Sequence, residues 1–203
     1  MTHSATSAPL EHTVLPRQTE PQTVLHVGCG AADPAKLPAG YFPPDRWYEI
    51  RLDLDPAVRP DHVASITNMG VVADQSVDAV WSAHNLEHLF AHEVPLALRE
   101  FHRVLRRGGF ALVTMPDLQQ VAELVVNGSL EDTAYMSTMG PVRPLDMIYG
   151  FAPAIAGGNA FMAHRTGFTA ATLRACLERA GFHDVEVQRD GRFGLWAYAI
   201  RND

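Results

Sequence analysis

The 203-residue sequence predicts an α/β protein built on a mostly parallel sheet. Three observations carry that reading. Short apolar runs alternate with segments of helical period from Thr23 onward. The run VLHVGCG, Val24 to Gly30, passes from apolar residues straight into glycine, as a strand does when it breaks into a turn beneath a ligand. The last two strand-like runs lie so close together that they pair only as an antiparallel hairpin.

Taken in order, Thr23 to Gly28 reads as the first strand. The segment after it holds Pro34, Pro38, Pro43 and Pro44 around Gly40. Proline removes a donor and clashes inside a helix, so any helix here is a turn or two around Pro34 to Leu37. Trp47 to Leu54 reads as a second strand, His62 to Ile66 as a short third and Val77 to Ser82 as a fourth. Val94 to Arg106 is the clearest helix. Pro95 suits its first turn, and Val94, Leu98, Phe101, Val104 and Leu105 share one face. Gly108 and Gly109 read as its stop. Phe110 to Met115 is a fifth strand, closed by Pro116 and Asp117.

Leu118 to Val126 has helical character, and residues 118–165 as a whole read as an irregular excursion covering a pocket. Thr169 to Ala180 reads as a helix with Thr169 as N-cap and Gly181 as stop. Val185 to Arg189 and Leu195 to Arg201 form the final hairpin around Asp190 and Gly191. Residues 1–22, rich in Ser, Thr, Pro and Gln, are expected to be a flexible arm, with residues 23–203 forming one domain.

Composition narrows the function classes. Hydrophobic residues make up 47% and charged residues 19%, enough apolar material for a real core. The net charge of -7 argues against bulk nucleic-acid binding, which needs Lys and Arg to neutralise phosphates. No stretch approaches a membrane span, and the N-terminal residues lack a signal-peptide pattern. Two cysteines far apart in sequence indicate no disulfide framework, so a cytoplasmic location is expected. The expected partner is a small-molecule substrate, with no nucleic acid and no membrane, and a homodimer left open.

In open parallel sheets, ligands bind beyond the carboxyl ends of strands where strand order reverses. Gly28 and Gly30 let a ligand approach the backbone closely. Asp53, at the end of the next strand, is placed to accept the hydroxyls of a ribose. A dinucleotide wants the full G-x-G-x-x-G turn and a helix N-terminus beneath its phosphates. Here the turn is Gly28-Cys29-Gly30-Ala31-Ala32-Asp33, whose aspartate repels phosphate and whose following helix is clipped. A phosphate-free nucleoside fits better, which speaks against a nicotinamide-dependent reductase.

Five segments together resemble, in order, the class I S-adenosylmethionine-dependent methyltransferases of the small-molecule type. They are VLHVGCG, RLDLDP, SVDAVWSAHNLEHL, LREFHRVLRRGGFALVTMPD and LRACLERAGFHDVEV. The resemblance runs from Thr23 to Arg201. It implies a Rossmann-like, seven-stranded sheet, mostly parallel with an antiparallel last strand and helices on both faces. It implies transfer of a methyl group from S-adenosylmethionine. It also implies cofactor contacts from His26, Gly28, Cys29 and Gly30 at the methionine half and from Asp53 and Leu54 at the ribose. Ser65 and Ile66 fall near the adenine, and Ser82 and Ala83 near the methyl. The family usually has an acid where His26 stands and often one where Ser65 stands. A non-catalytic protein that keeps the fold is the alternative reading.

Methyl transfer is an in-line displacement at a carbon already activated by a sulfonium, so alignment and exclusion of water matter most. A base is needed only for a protonated nucleophile. His84, in HNLEHL, is the catalytic expectation, because an imidazole suits proton removal near neutrality. That slightly favours an oxygen acceptor. Glu87 and His88 read first as braces of the loop. A third reading joins His84, Glu87, His88 and His164 as metal ligands. Their spacing resembles the metal-binding helix of the small-RNA 2′-O-methyltransferases, with His84 where that family has an acid. No metal is expected. His26 reads as a hydrogen-bonded core histidine, Cys29 as a space-filler and His102 as solvated. His88, Tyr149, His164 and Arg165 are expected to meet the substrate, with Met136, Met139, Met147 and Met162 lining an adaptable pocket or filling core.

Overall fold

A computed structural model describes residues 21–202. The arm expected over residues 1–22 lies outside these apart from its last two positions, and Gln22 opens the first strand. β1 (Gln22–Val27) is buried from Val24 to Val27, because strands flank both its edges and its faces are covered. A 3-10 turn, Pro34–Lys36, follows, and its N-cap Asp33 accepts the Ala35 N–H at 2.9 Å. That single turn is all the helix the prolines leave. β2 (Trp47–Asp53) and β3 (His62–Val63) complete this half of the sheet. β3 ends before Ser65, which turns back to bridge Asn68 while Ile66 drops into the core.

β4 (Val77–Ala83) leads through a 3-10 turn, Leu86–His88, to α1 (Val94–Val104). The helix stops earlier than the glycine pair suggests. Arg201 NH1 donates to the carbonyls of His102, Arg103 and Leu105 at 2.9, 3.1 and 2.6 Å, satisfying groups the last turn leaves open. Gly108 and Gly109 lie instead inside the long β5 (Leu105–Pro116), exchanging backbone bonds with Arg201.

The excursion after β5 is more regular than expected. It holds α2 (Leu118–Val126), the hairpin β6 (Tyr135–Ser137) and β7 (Gly140–Val142), α3 (Pro144–Tyr149) and α4 (Ala152–Ala156). Val121, Val142 and Met147 give it a small core of its own. The chain returns through α5 (Ala170–Arg179), capped by Thr169, and closes with β8 (His183–Arg189) and β9 (Gly194–Ile200).

The main sheet has seven strands in the order β3-β2-β1-β4-β5-β9-β8. Every pairing is parallel except those of β9, which runs antiparallel to both β5 and β8. One face carries the main core, where Leu98 and Phe101 of α1 and Leu173 and Leu177 of α5 pack on Leu25, Val80 and Val113. The other face is aromatic. Phe42, beyond the Pro34–Lys36 turn, stacks on Phe110 and meets Trp47 edge-on. Strand order reverses between β1 and β4, which puts a crevice at the carboxyl ends of those two strands. No described helix is long and apolar enough to cross a membrane.

Candidate functional site

The crevice is built on two glycines that need their backbone freedom. Gly28 (φ +61°) and Gly30 (φ +58°) both lie in the left-handed region. A Cβ on Gly28 would fall 2.4 Å from Asn85 Nδ2, so the turn after β1 and the loop after β4 meet across a bare α-carbon. Asp53 locks the turn from the other side. Its Oδ2 accepts the Gly30 N–H at 2.7 Å and its Oδ1 the Asp55 N–H at 2.9 Å. Each carboxylate oxygen keeps a second acceptor site.

Lys36 and Arg51 complete the cradle. Lys36 Nζ donates to the carbonyls of Cys29 and Ala31 at 2.9 and 2.8 Å, and Arg51 donates to the carbonyl of Gly30. Leu54, beside Asp53, is about half exposed and offers an apolar surface there. Ser65 exchanges a hydrogen bond with Thr67 at 2.8 Å. Ile66 spends its side chain in the core, so what it offers the crevice is main chain.

His26 is buried on the aromatic face, where its Nδ1 lies 2.6 Å from Glu49 Oε1. A carboxylate only accepts, so the ring N–H donates. Burial lowers the His26 pKa, and Glu49 opposes that without cancelling it. Cys29 is buried, and burial raises its thiol pKa, the opposite of what a nucleophile needs. Among the described residues, Ser82 is fully buried with no partner on Oγ, and Asn85 Nδ2 is likewise unpartnered. Two orphaned polar atoms thus lie at or beside the glycine turn, as they would if a bound polar group completed them. With the Asp53 acceptors, they fit an amino-acid-bearing nucleoside.

His84 follows at the tip of β4, in the left-handed region at φ +48°, a conformation rare outside glycine. Its N–H donates to Thr114 O at 2.8 Å, and its Nδ1 lies 3.2 Å from Glu87 Oε1. Crowding by surrounding atoms would lower the pKa of the ring. The ring nonetheless opens to a cavity, and the Glu87 hydrogen bond and charge, with help from Asp190, raise it. Burial would raise the pKa of Glu87, but the hydrogen bond from His84 and the charges of His84, His88 and His164 hold it below the usual carboxylate value. With Nδ1–H engaged, Nε2 of His84 carries the free lone pair.

The cavity beside Ala83 and His84 measures about 330 Å³, within the range of small-molecule sites. Trp81, Tyr135, Phe193 and Trp196 wall it, with Asp190 and Arg192 adding charge. None of these six stands out in the sequence, because they come from three separate segments. A second cavity of about 200 Å³ adjoins it through Pro116 and Met147, and here lie Tyr149, His164 and Arg165. The Arg165 guanidinium stacks on Phe90 at 4.8 Å. His88 is tied to this region by its ring, 4.9 Å from that of His164. Glu87, His88 and His164 offer donor atoms that all lie within 4.8 Å of one another.

Comparison with known proteins agrees with this fold. Residues 25–113 match a family model described as a methyltransferase domain. No curated protein matches the chain. A solved 1,6-didemethyltoxoflavin-N1-methyltransferase of Burkholderia thailandensis, bound to 1,6-didemethyltoxoflavin and S-adenosylhomocysteine, is similar at 18% identity with a TM-score of 0.56. The similarity covers 91% of this chain and 72% of that one. A SAM-dependent methyltransferase of Methanosarcina mazei is similar at 14% identity with a TM-score of 0.60, covering 91% and 94%. A complex of the Haloferax volcanii Trm112 methyltransferase activator with a methyltransferase contains a chain similar at 16% identity, TM-score 0.57, covering 91% and 83%. At these identities the likeness is one of fold.

Proposed function

We propose that this chain, whose residues 25–113 match a methyltransferase-domain model and whose fold is that of solved S-adenosylmethionine-dependent methyltransferases, methylates a small molecule, at oxygen. One observation carries the proposal. The Gly28–Gly30 turn, pinned by Asp53, stands at the reversal of strand order and next to a cavity that His84 lines.

When bound, the cofactor supplies a methyl carbon made electrophilic by a sulfonium. The chain's residues do the rest. Gly28, Cys29 and Gly30 present main chain to the methionine end, and the unpaired Asn85 amide faces the same turn. Asp53 takes the ribose hydroxyls on its remaining acceptor sites, while Leu54 and the main chain of Ser65 and Ile66 flank the base. Ser82 and Ala83 bring β4 up to the methyl. His26, held by Glu49, shapes the crevice from within the sheet.

The acceptor occupies the 330 Å³ cavity, whose aromatic walls suit a flat or apolar molecule. His84 Nε2 takes the proton of its hydroxyl. Glu87 orients the ring and stabilises the imidazolium that forms, as a buried carboxylate does for a catalytic histidine. Tyr149, His164 and Arg165 line the adjoining cavity and select for the acceptor's far end. Incubation with methyl-labelled cofactor and a panel of phenols, enols and amines tests this. Label transferred to hydroxyl-bearing acceptors supports it, and transfer to amines alone contradicts the oxygen assignment.

A further inference from the structure

We propose that Glu87, His88 and His164 bind one divalent transition-metal ion, whose open position holds an oxygen of the acceptor. The second half of this rests on the methyltransferase reading, and the first half stands without it.

Glu87 is 1% exposed, and its two oxygens are treated differently. Oε1 meets His84, while Oε2 is buried with no partner among the described residues. An unsatisfied oxygen on an ionised, buried carboxylate is unfavourable unless a cation completes it. The two imidazoles are prepared to help hold that cation. His88 Nδ1 lies 3.2 Å from Ala163 O, and His164 Nδ1 lies 2.9 Å from Met147 O. Carbonyls only accept, so both rings carry their proton on Nδ1 and present a lone pair on Nε2. This is how metal-ligating histidines are commonly held in tautomer and orientation.

The His88 and His164 rings meet edge to face at 4.9 Å, and the donor atoms of the three residues lie within 4.8 Å of one another. Bonds of about 2.0–2.2 Å to a tetrahedral ion put donors about 3.5 Å apart, so the set closes by about 1 Å. Two imidazoles and a carboxylate suit zinc, iron or cobalt. Three protein ligands leave a position open, the arrangement of catalytic rather than structural sites. Glu87 and His164 both line the 200 Å³ cavity, which gives that position access to a small molecule. The neighbouring chain is well placed to brace the site, since Arg165 and Thr166 donate their N–H groups to Glu87 O at 2.8 and 3.2 Å.

The test is a cobalt(II) titration of the full chain, followed by visible absorption and calorimetry. The expected result is a saturable band at one ion per chain. It should weaken at least about tenfold in His164→Ala and in Glu87→Gln, since each removes a ligand and losing even an outer-shell partner costs that much. His183→Ala, at an exposed position on β8, should bind as the parent does. If Glu87→Gln fails to fold, His164→Ala carries the test, its fold checked by circular dichroism. No saturable band, or a band that His164→Ala leaves unchanged, overturns the site. A parallel titration with S-adenosylhomocysteine keeps the two readings apart. Nucleoside binding without cobalt binding removes the metal site alone, and the reverse removes the cofactor reading alone.

Discussion

Asn85 lies so close to Gly28 that a single methyl group on the glycine would fall 2.4 Å from the Asn85 amide nitrogen. The turn after β1 and the loop after β4 are thereby interlocked at the carboxyl ends of their strands, on the rim of the crevice. Gly28→Ala adds that methyl at φ +61°, where side chains are strained. The expected cost is about 1–3 kcal/mol of stability, with loss of S-adenosylhomocysteine binding. Denaturant unfolding and calorimetry on the same preparation read both.

His84 lines the cavity, with its Nδ1 anchored on Glu87 Oε1 at 3.2 Å. His84→Ala should lower kcat by about 10²–10⁴, the range of general-base catalysis, while the KM for the methyl donor stays put. Steady-state kinetics with an identified acceptor decides it. Unchanged turnover at every pH would show that His84 is no base.

Glu100 ties α1 to the loop that follows Ser65 and Ile66. Its Oε2 accepts the Met69 N–H at 2.5 Å, and Arg103 Nε donates to its Oε1 at 2.7 Å. The Arg103 hydrogen bond, aided by the one from Met69, holds the Glu100 pKa below its ordinary value. The folded protein therefore takes up this proton less readily than the unfolded chain does. The stabilisation is complete above the ordinary value of about 4.3 and is lost as pH falls through the lowered folded value. Glu100→Gln should lose about 1.5–3 kcal/mol at neutral pH. Melting curves of the two proteins should approach one another as pH falls from the ordinary carboxylate value through the lowered folded one.

Asp117 is fully buried where β5 hands over to the excursion. It caps α2 through the Gln119 N–H at 3.1 Å and pairs with Arg189 Nε at 2.7 Å. Asp117→Ala removes both and should cost about 2–4 kcal/mol. Amide hydrogen exchange should show α2 and α3 losing protection before the main sheet does.

Much of this was legible in the sequence, and the exceptions have physical causes. The strands around β1 announced themselves by apolar runs ending in Gly28 or Asp53, and α5 by Thr169 and Gly181, because those signals are local. α1 was read two residues too long, since what ends it is Arg201, almost a hundred positions away in sequence. The hairpin and short helices of the excursion were invisible. They hold through contacts such as Arg143 with Asp146, and through a small core of residues that no period links. The site was half legible. Glu87 and His88 are neighbours in the chain, but His164 reaches them only through the fold. Glu49, the partner of His26, lies on the adjacent parallel strand, and the walls Trp81 and Trp196 come from strands that only the sheet order brings together.

The most direct test of the cofactor crevice is calorimetric titration of the full chain with S-adenosylhomocysteine, beside Asp53→Ala verified as folded. The expected result is saturable binding of one molecule per chain, weakened in the variant by about 1.5–3 kcal/mol, or about ten- to a hundredfold. A folded protein that gives no heat, or a variant that binds as tightly as the parent, would contradict it.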